Sequence, residues 1–221
     1  MKKLILPPEV LEARIAPAAG VLDLGKLDGV NGFQISGEVA DDQIAGSVSE
    51  IGDFNGDGLA DFVIGADSAS PNGALSGGAY VIFVTSHGFP ANFDLASLNG
   101  TNGFKILGEA AGDSAGISVS GAGDVNGDGL ADLIIGAPGA SLNGRIDAGA
   151  AYIVFGTASP AAALTLSSFD GEGVKIEGNA AGTGFGSVVS GAGDFNGDGF
   201  SDVLIGAPTT PGPAGANVPV S

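Results

Sequence analysis

An all-β fold made of repeated four-stranded antiparallel units is what the sequence predicts, and three observations predict it. The segment DFNGDGLAD at Asp53–Asp61 recurs as DVNGDGLAD at Asp124–Asp132 and as DFNGDGFSD at Asp194–Asp202, at steps of 71 and then 70 residues, so the chain rests on an internal repeat. Around each copy lie apolar runs of four to six residues, rich in Val, Ile, Phe and Tyr and bounded by Gly, Asn, Asp and Pro. Such runs are strands rather than helices. Gly supplies 41 of the 221 residues, well above the usual ~7%, which calls for an architecture of many tight turns.

Each repeat reads as four strands in order. The first lies at Ser47–Ile51 in the first unit and at Ser118–Ala122 in the second. The second follows the acidic segment, in runs closed by Gly-Ala: FVIGAD to Asp67, LIIGAP to Pro138 and VLIGAP to Pro208. The third is AYVIF at Ala79–Phe83 and AYIVF at Ala151–Phe155, with no third copy. The fourth is GFKILG at Gly103–Gly108 and GVKIEG at Gly173–Gly178; with GFQISG at Gly32–Gly37, these begin 21 residues ahead of a loop's first Asp. Four antiparallel strands in a repeat of this size make the blade of a β-propeller. The expected organisation is an N-terminal segment at 1–27, repeats over 28–208 and a Pro/Gly-rich tail at 209–221. Blades fall at about 45–108 and 115–178, with a half blade at 185–208. The first unit reads Ala45-Gly46-Ser47 where the second reads Ala115-Gly116-Ile117-Ser118, a slip of one residue. Since side chains alternate with period two, the slip either turns a strand face or is absorbed as a bulge.

The spacing D-x-N-x-D-G-x-x-D carries the chemistry. A hard cation such as Ca²⁺ takes six to eight oxygens, and side chains at positions 1, 3, 5 and 9 with the carbonyl of position 7 converge when the chain curls tightly. The candidate ligands are Asp53, Asn55, Asp57, the carbonyl of Leu59, and Asp61 in the first loop. In the second they are Asp124, Asn126, Asp128, the carbonyl of Leu130, and Asp132; in the third, Asp194, Asn196, Asp198, the carbonyl of Phe200, and Asp202. An EF-hand begins in the same way but needs a Glu at position 12 between two helices. Position 12 here is Ile64, Ile135 or Ile205, inside a strand-like run, so the ion closes a hairpin instead. Three carboxylates held together repel one another without a cation. Ca²⁺ at about three sites is therefore expected, in preference to Mg²⁺ with its stricter octahedron. Nine of the 25 acidic residues lie in these loops, and three divalent ions would bring the net charge from −18 to −12. An extracellular affinity of ~10⁻⁴ to 10⁻³ M is expected.

Composition excludes several alternatives. With 7 Lys+Arg against 25 Asp+Glu, no basic stripe exists to meet a phosphate backbone, so no nucleic acid is expected as partner. The absence of Cys removes disulfide scaffolds, zinc fingers and cysteine catalysis. The longest uncharged stretch, Ala148–Phe169, is broken by Gly149, Gly156 and Pro160 and predicts no transmembrane segment. The apolar stretch Leu4–Leu6 ends at Pro7 and is too short for an ordinary secretory signal. The lone His87 has no G-x-S-x-G partner, and the match to G-x-x-x-x-G-K at Gly20–Lys26 has Leu27 where Ser or Thr is needed. No catalytic or cofactor-binding residue is expected.

Three elements in order resemble the FG-GAP repeats of the integrin α-chain propeller and their bacterial relatives, over about Gly32 to Pro208. The Phe-Gly element stands in full as Phe185-Gly186 and reduced as Ala45-Gly46 and Ala115-Gly116. The acidic loops follow, and then Gly136-Ala137-Pro138 and Gly206-Ala207-Pro208, with Asp67 replacing Pro in the first copy. The resemblance implies a partial seven-bladed propeller of four-stranded antiparallel FG-GAP blades with calcium-binding hairpin loops. It also implies a non-catalytic role in adhesion or protein recognition outside the cell. Two and a half blades do not close a ring. The expectation is a piece of a longer surface protein, or several chains whose blades complete a propeller. The N-terminal LEARIAPAA resembles short N-terminal motifs of large exported bacterial proteins and favours export. The partner expected is an extracellular protein or glycan. Such propellers also accompany catalytic domains, as in glycosylphosphatidylinositol-specific phospholipases, so the alternatives are an accessory propeller of a secreted hydrolase or a carbohydrate-binding surface protein.

Overall fold

The computed structural model describes residues 24–38, 43–168 and 171–209. The LEARIAPAA motif and the tail beyond Thr209 lie outside the described residues. Among the described residues the chain is built of short strands, with 3₁₀ turns at Leu24–Lys26 and Leu95–Ser97. The strands are β1 (Gln34–Ser36), β2 (Val48–Gly52), β3 (Asp61–Gly65), β4 (Gly78–Ile82), β5 (Asn92–Asp94), β6 (Gly103–Leu107) and β7 (Ser118–Gly123). They continue with β8 (Asp132–Ala137), β9 (Ala150–Val154), β10 (Ala163–Thr165), β11 (Gly173–Glu177), β12 (Val188–Gly193) and β13 (Asp202–Gly206).

Two four-stranded antiparallel blades result. The first runs β2-β3-β4-β6 and the second β7-β8-β9-β11, while β12 and β13 form a hairpin of the same kind. The fold is thus a partial propeller, with the strands where the repeat places them. Two short strands were not legible: β5 pairs in parallel with β1, and β10 in parallel with β6. The chain leaving each third strand therefore reaches back across the fourth strand of the unit before.

The one-residue slip changes neither face nor register. Val48 faces Ile64 across the first hairpin as Val119 faces Ile135 and Val189 faces Ile205 in the others. All three inner strands carry a bulge at the same place, between Glu50/Gly52, Gly121/Gly123 and Gly191/Gly193. The slip is taken up ahead of the strand, where the Ala45 amide donates to the Gly65 carbonyl as the amides of Gly116 and Gly186 donate to Gly136 and Gly206. Ala45 thereby adopts φ +70°, the left-handed backbone that its two glycine counterparts reach at +88° and +90°.

Packing explains the two glycine-bearing elements. A Cβ on Gly136 would stand 1.9 Å from the carbonyl oxygen of Gly186, and one on Gly65 would stand 2.0 Å from that of Gly116. The Phe-Gly element of one unit is pressed backbone to backbone on the Gly-Ala-Pro element of the unit before. Serines reinforce this joint: Ser47 Oγ accepts from the Val119 amide and Ser118 Oγ from the Val189 amide, both at 3.0 Å. The core lies between the blades. Ile51, Phe54, Val63, Val81 and Phe104 meet Leu133, Ile135 and Tyr152, and each fully buried aliphatic or aromatic side chain contributes about 1.5–3 kcal/mol. Ile134, Ile153 and Val189 repeat the arrangement at the next joint.

Candidate functional site

The three acidic loops close the β2–β3, β7–β8 and β12–β13 hairpins, and their internal geometry is the same. In the first, Asp53 Oδ1 accepts from the amides of Gly56 and Asp57 at 2.8 and 2.9 Å, and its Oδ2 from Gly58 at 2.8 Å. Asn55 Oδ1 accepts from Asp57 N, and Asp57 Oδ1 accepts from Leu59 N, both at 2.9 Å. Asp124, Asn126 and Asp128 repeat these bonds in the second loop, as do Asp194, Asn196 and Asp198 in the third. The curl that the spacing predicts is therefore held by the loop's own amides, with glycine at positions 4 and 6 at positive φ.

The Asp at position 9 behaves differently from a surface ligand. Asp61 and Asp132 are fully buried. Asp61 Oδ2 accepts from Phe54 N inside the loop, and its Oδ1 accepts from Val84 N at 2.9 Å, just past the third strand. Asp132 does the same with Val125 N and Gly156 N, both at 2.8 Å. Each carboxylate ties its loop to the end of a strand more than twenty residues away. Burial pushes the Asp61 carboxyl up to about 6, and the neighbouring Asp57 carboxylate adds to the rise. Asp132 is raised for the same reason, with Asp128 and Asp124 contributing. Asp202 is only half-buried; its Oδ2 accepts from Phe195 N and Asn196 N, within its own loop.

Among the described residues no group of three or more acidic or His side chains stands assembled as a cation cage. The carboxylates at positions 1 and 5 instead turn onto backbone amides. The donor set nevertheless suits a hard cation. It is all oxygen, each carboxylate oxygen keeps lone-pair capacity beyond one hydrogen bond, and Asn196 Nδ2 lies 3.0 Å from Asp198 Oδ2 and 3.4 Å from Asp202 Oδ1, so positions 5 and 9 reach one point. The electrostatic effect of Asp57 on Asp61, and of Asp124 and Asp128 on Asp132, has the same origin.

A second recurring constellation was hidden in the strand motifs. Tyr152 Oη donates to Glu109 Oε2 at 2.7 Å, Lys175 Nζ donates to the same oxygen at 2.6 Å, and the ammonium lies 5.5 Å from the Tyr152 ring centre. In the first blade Tyr80 and Lys105 likewise both donate to one carboxylate, Glu38, the phenol to Oε2 and the ammonium to Oε1. Burial and the Glu109 carboxylate hold the Tyr152 phenol far above its ordinary range, so it stays protonated. The recurrence of a Lys in GFKILG and GVKIEG after the Tyr of AYVIF and AYIVF, at separations of 25 and 23 residues, was the signal that could have found it. Beside Tyr80, Lys105 and Glu38 lies a cavity of about 310 Å³ walled by Ala66, Pro71 and Leu107. His87 is exposed and lies 3.4 Å from Ser86 Oγ. No helix among the described residues is long and apolar enough to cross a membrane.

Comparison with known proteins places this architecture. The FG-GAP repeat model matches residues 45–82, 115–154 and 185–217. Over 187 residues the chain is 32% identical to integrin alpha-PS2 of Drosophila melanogaster, covering 83% of this chain and 12% of the relative. It is 34% identical over 176 residues to integrin alpha-5 of Xenopus laevis, covering 76% of this chain and 14% of that one. A shorter match, 41% identical over 88 residues, joins it to phosphatidylinositol-glycan-specific phospholipase D of Bos taurus, covering 39% of this chain and 10% of the relative. The chain thus spans between a tenth and a seventh of the length of these relatives. The three matched repeats and the blades they coincide with show that the chain belongs to the FG-GAP repeat family, with integrin-α-like repeats.

Proposed function

We propose that this chain is a calcium-stabilised, non-catalytic length of β-propeller that serves adhesion or protein recognition outside the cell. The observation that carries the reading is the acidic loop, repeated in every unit with Asp at positions 1, 5 and 9 and Asn at position 3, each time at the turn between a blade's first two strands. Asp53, Asn55, Asp57, Asp61 and the Leu59 carbonyl would hold one ion, and the corresponding residues of the other loops two more. The ion supplies positive charge that offsets the repulsion among three carboxylates and locks the hairpin. The chain's own residues do the rest: the amides curl the loop, and Asp61 and Asp132 fasten it to the third strand. Further blades, from the same polypeptide or from other chains, complete the ring, and an extracellular protein or glycan is the partner.

Calorimetric titration with calcium chloride, together with melting curves, tests the metal. About three sites are expected. At tenfold the dissociation constant each stabilises the fold by roughly 1.4 kcal/mol, so melting should rise by on the order of 10 °C. No heat of binding and an unmoved melting point would overturn the calcium part. The higher identity of the shorter phospholipase match favours a second reading, an accessory propeller of a larger secreted hydrolase. A hydrolase domain in the natural reading frame beside these repeats would decide for it. A glycan array run with a calcium-free control separates carbohydrate from protein recognition.

A further inference from the structure

The acidic loops touch one another, and the contacts always join the same positions. The amide of Ala131, position 8 of the second loop, donates to the carbonyl of Asp53, position 1 of the first, at 3.1 Å. The amide of Ser201, position 8 of the third, donates to the carbonyl of Asp124, position 1 of the second, at 2.8 Å. Side chains at position 7 follow the same rule. Leu130 lies against Gly56, where a Cβ would be 3.0 Å from its Cδ2, and the Phe200 ring lies over Gly127, where a Cβ would be 2.5 Å from the nearest ring carbon. A further link joins the first two loops: Gly156 N donates to Asp132 Oδ1 at 2.8 Å, and the next amide, Thr157 N, donates to Phe54 O at 3.0 Å.

We propose that the three loops take up divalent cations as a coupled row, with the second loop as its hub; this rests on the reading of the loops as calcium sites. Position 8, which clamps the preceding loop, directly precedes the Asp at position 9. A cation that draws Asp132 inward therefore fixes the Ala131 amide, and with it the Asp53 carbonyl. Asp202, Ser201 and Asp124 stand in the same relation. A loop already ordered by its neighbour has less conformational freedom to lose when its own ion binds, which is positive coupling. Only the second of these loops makes contact on both sides.

Calcium titration of the full chain, followed through the amide resonances of Gly56, Gly127 and Gly197, reads each loop separately. The unaltered protein should show the three sets moving together, more steeply than independent sites. Phe200→Ala removes the ring from Gly127 without opening the core, because Phe200 is about half exposed. It should raise the half-saturating calcium of the second loop about fivefold. Phe200→Leu, which copies Leu130, should restore it. Reciprocity supplies the stronger test: Asp198→Ala should weaken the second loop by the same factor by which Asp128→Ala weakens the third. Three independent midpoints, unmoved by changes in a neighbouring loop, would overturn the coupling and leave the calcium reading standing. No shift at any of the three glycines up to about 10 mM calcium, above the range of extracellular sites, would overturn the calcium reading and the coupling with it.

Discussion

The second and third acidic loops have nearly the same sequence and share the bonds of the curl made by positions 1, 3 and 5, yet they are built into the molecule to different depths. Asp132 is fully buried and joins its loop to Gly156 at the end of β9. Asp202, its counterpart, bonds only to Phe195 and Asn196 a few residues away. Ile134 is wholly buried while Leu204 in the equivalent place is 64% exposed. The difference teaches that the motif makes its own curl, whereas anchorage comes from the third strand and from the next blade packed on the sheet. A loop of this kind is a local structure first and a tertiary joint second.

The comparison breaks if the two aspartates prove equivalent. Asp132→Ala leaves the buried Gly156 amide and the half-buried Val125 amide without an acceptor and should cost about 3 kcal/mol, at 1–3 kcal/mol for an unsatisfied buried donor. Asp202→Ala should cost about 1 kcal/mol or less, because the amides it releases face water. Urea denaturation of both variants measures the gap, and equal losses would refute the distinction. Ser118→Ala sharpens the comparison at the blade joint. It frees the Val189 amide and should cost about 1 kcal/mol, while Ser190→Ala, which loses only a bond to the neighbouring Gly191 carbonyl, should be close to neutral in the same assay.

Two smaller effects carry the comparison to other positions. Ala45 holds a left-handed backbone where the other units have glycine, so Ala45→Gly should stabilise the protein by about 0.5–1 kcal/mol. An unchanged or lower denaturation midpoint would show that Ala45 is not strained. Asp113 is buried in the second unit where the third has Thr183, whose hydroxyl donates to the Ala148 carbonyl at 2.7 Å. Burial raises the Asp113 carboxyl above its ordinary 3.8. The folded state therefore holds the proton more firmly than the unfolded chain, and the contribution of Asp113 to stability falls as pH rises from about that value upward. Asp113→Thr should stabilise by about 0.5 kcal/mol at pH 7, with a smaller gain at pH 4. A gain that is equal at both values would show that charge burial is not the cause.

Reading the sequence located the strands of the two full blades because they recur with the repeat, most of them as short apolar runs between turn residues, and the loops because their ligand spacing is contained in nine residues. The strands β5 and β10 escaped, being three residues long and made by pairing with the preceding unit. Tyr80 and Tyr152 lie in the apolar runs of the third strands, and only the folded chain shows their hydroxyls on Glu38 and Glu109, more than forty residues distant in sequence. The slip at Ala45 left two outcomes open, and the structure chose a third, a loop adjustment ahead of the strand.

What the sequence determined by itself was local: the period of the repeat, the strand runs and the curl of DFNGDG, whose bonds span two to five residues and form wherever that stretch is placed. Tertiary structure decided which oxygen meets which distant amide. Asp61 on Val84, Asp132 on Gly156 and Ser47 on Val119 join residues 23, 24 and 72 positions apart. Such bonds depend on how the sheets stack and how closely glycine lets their backbones approach, and no spacing within a single repeat encodes that.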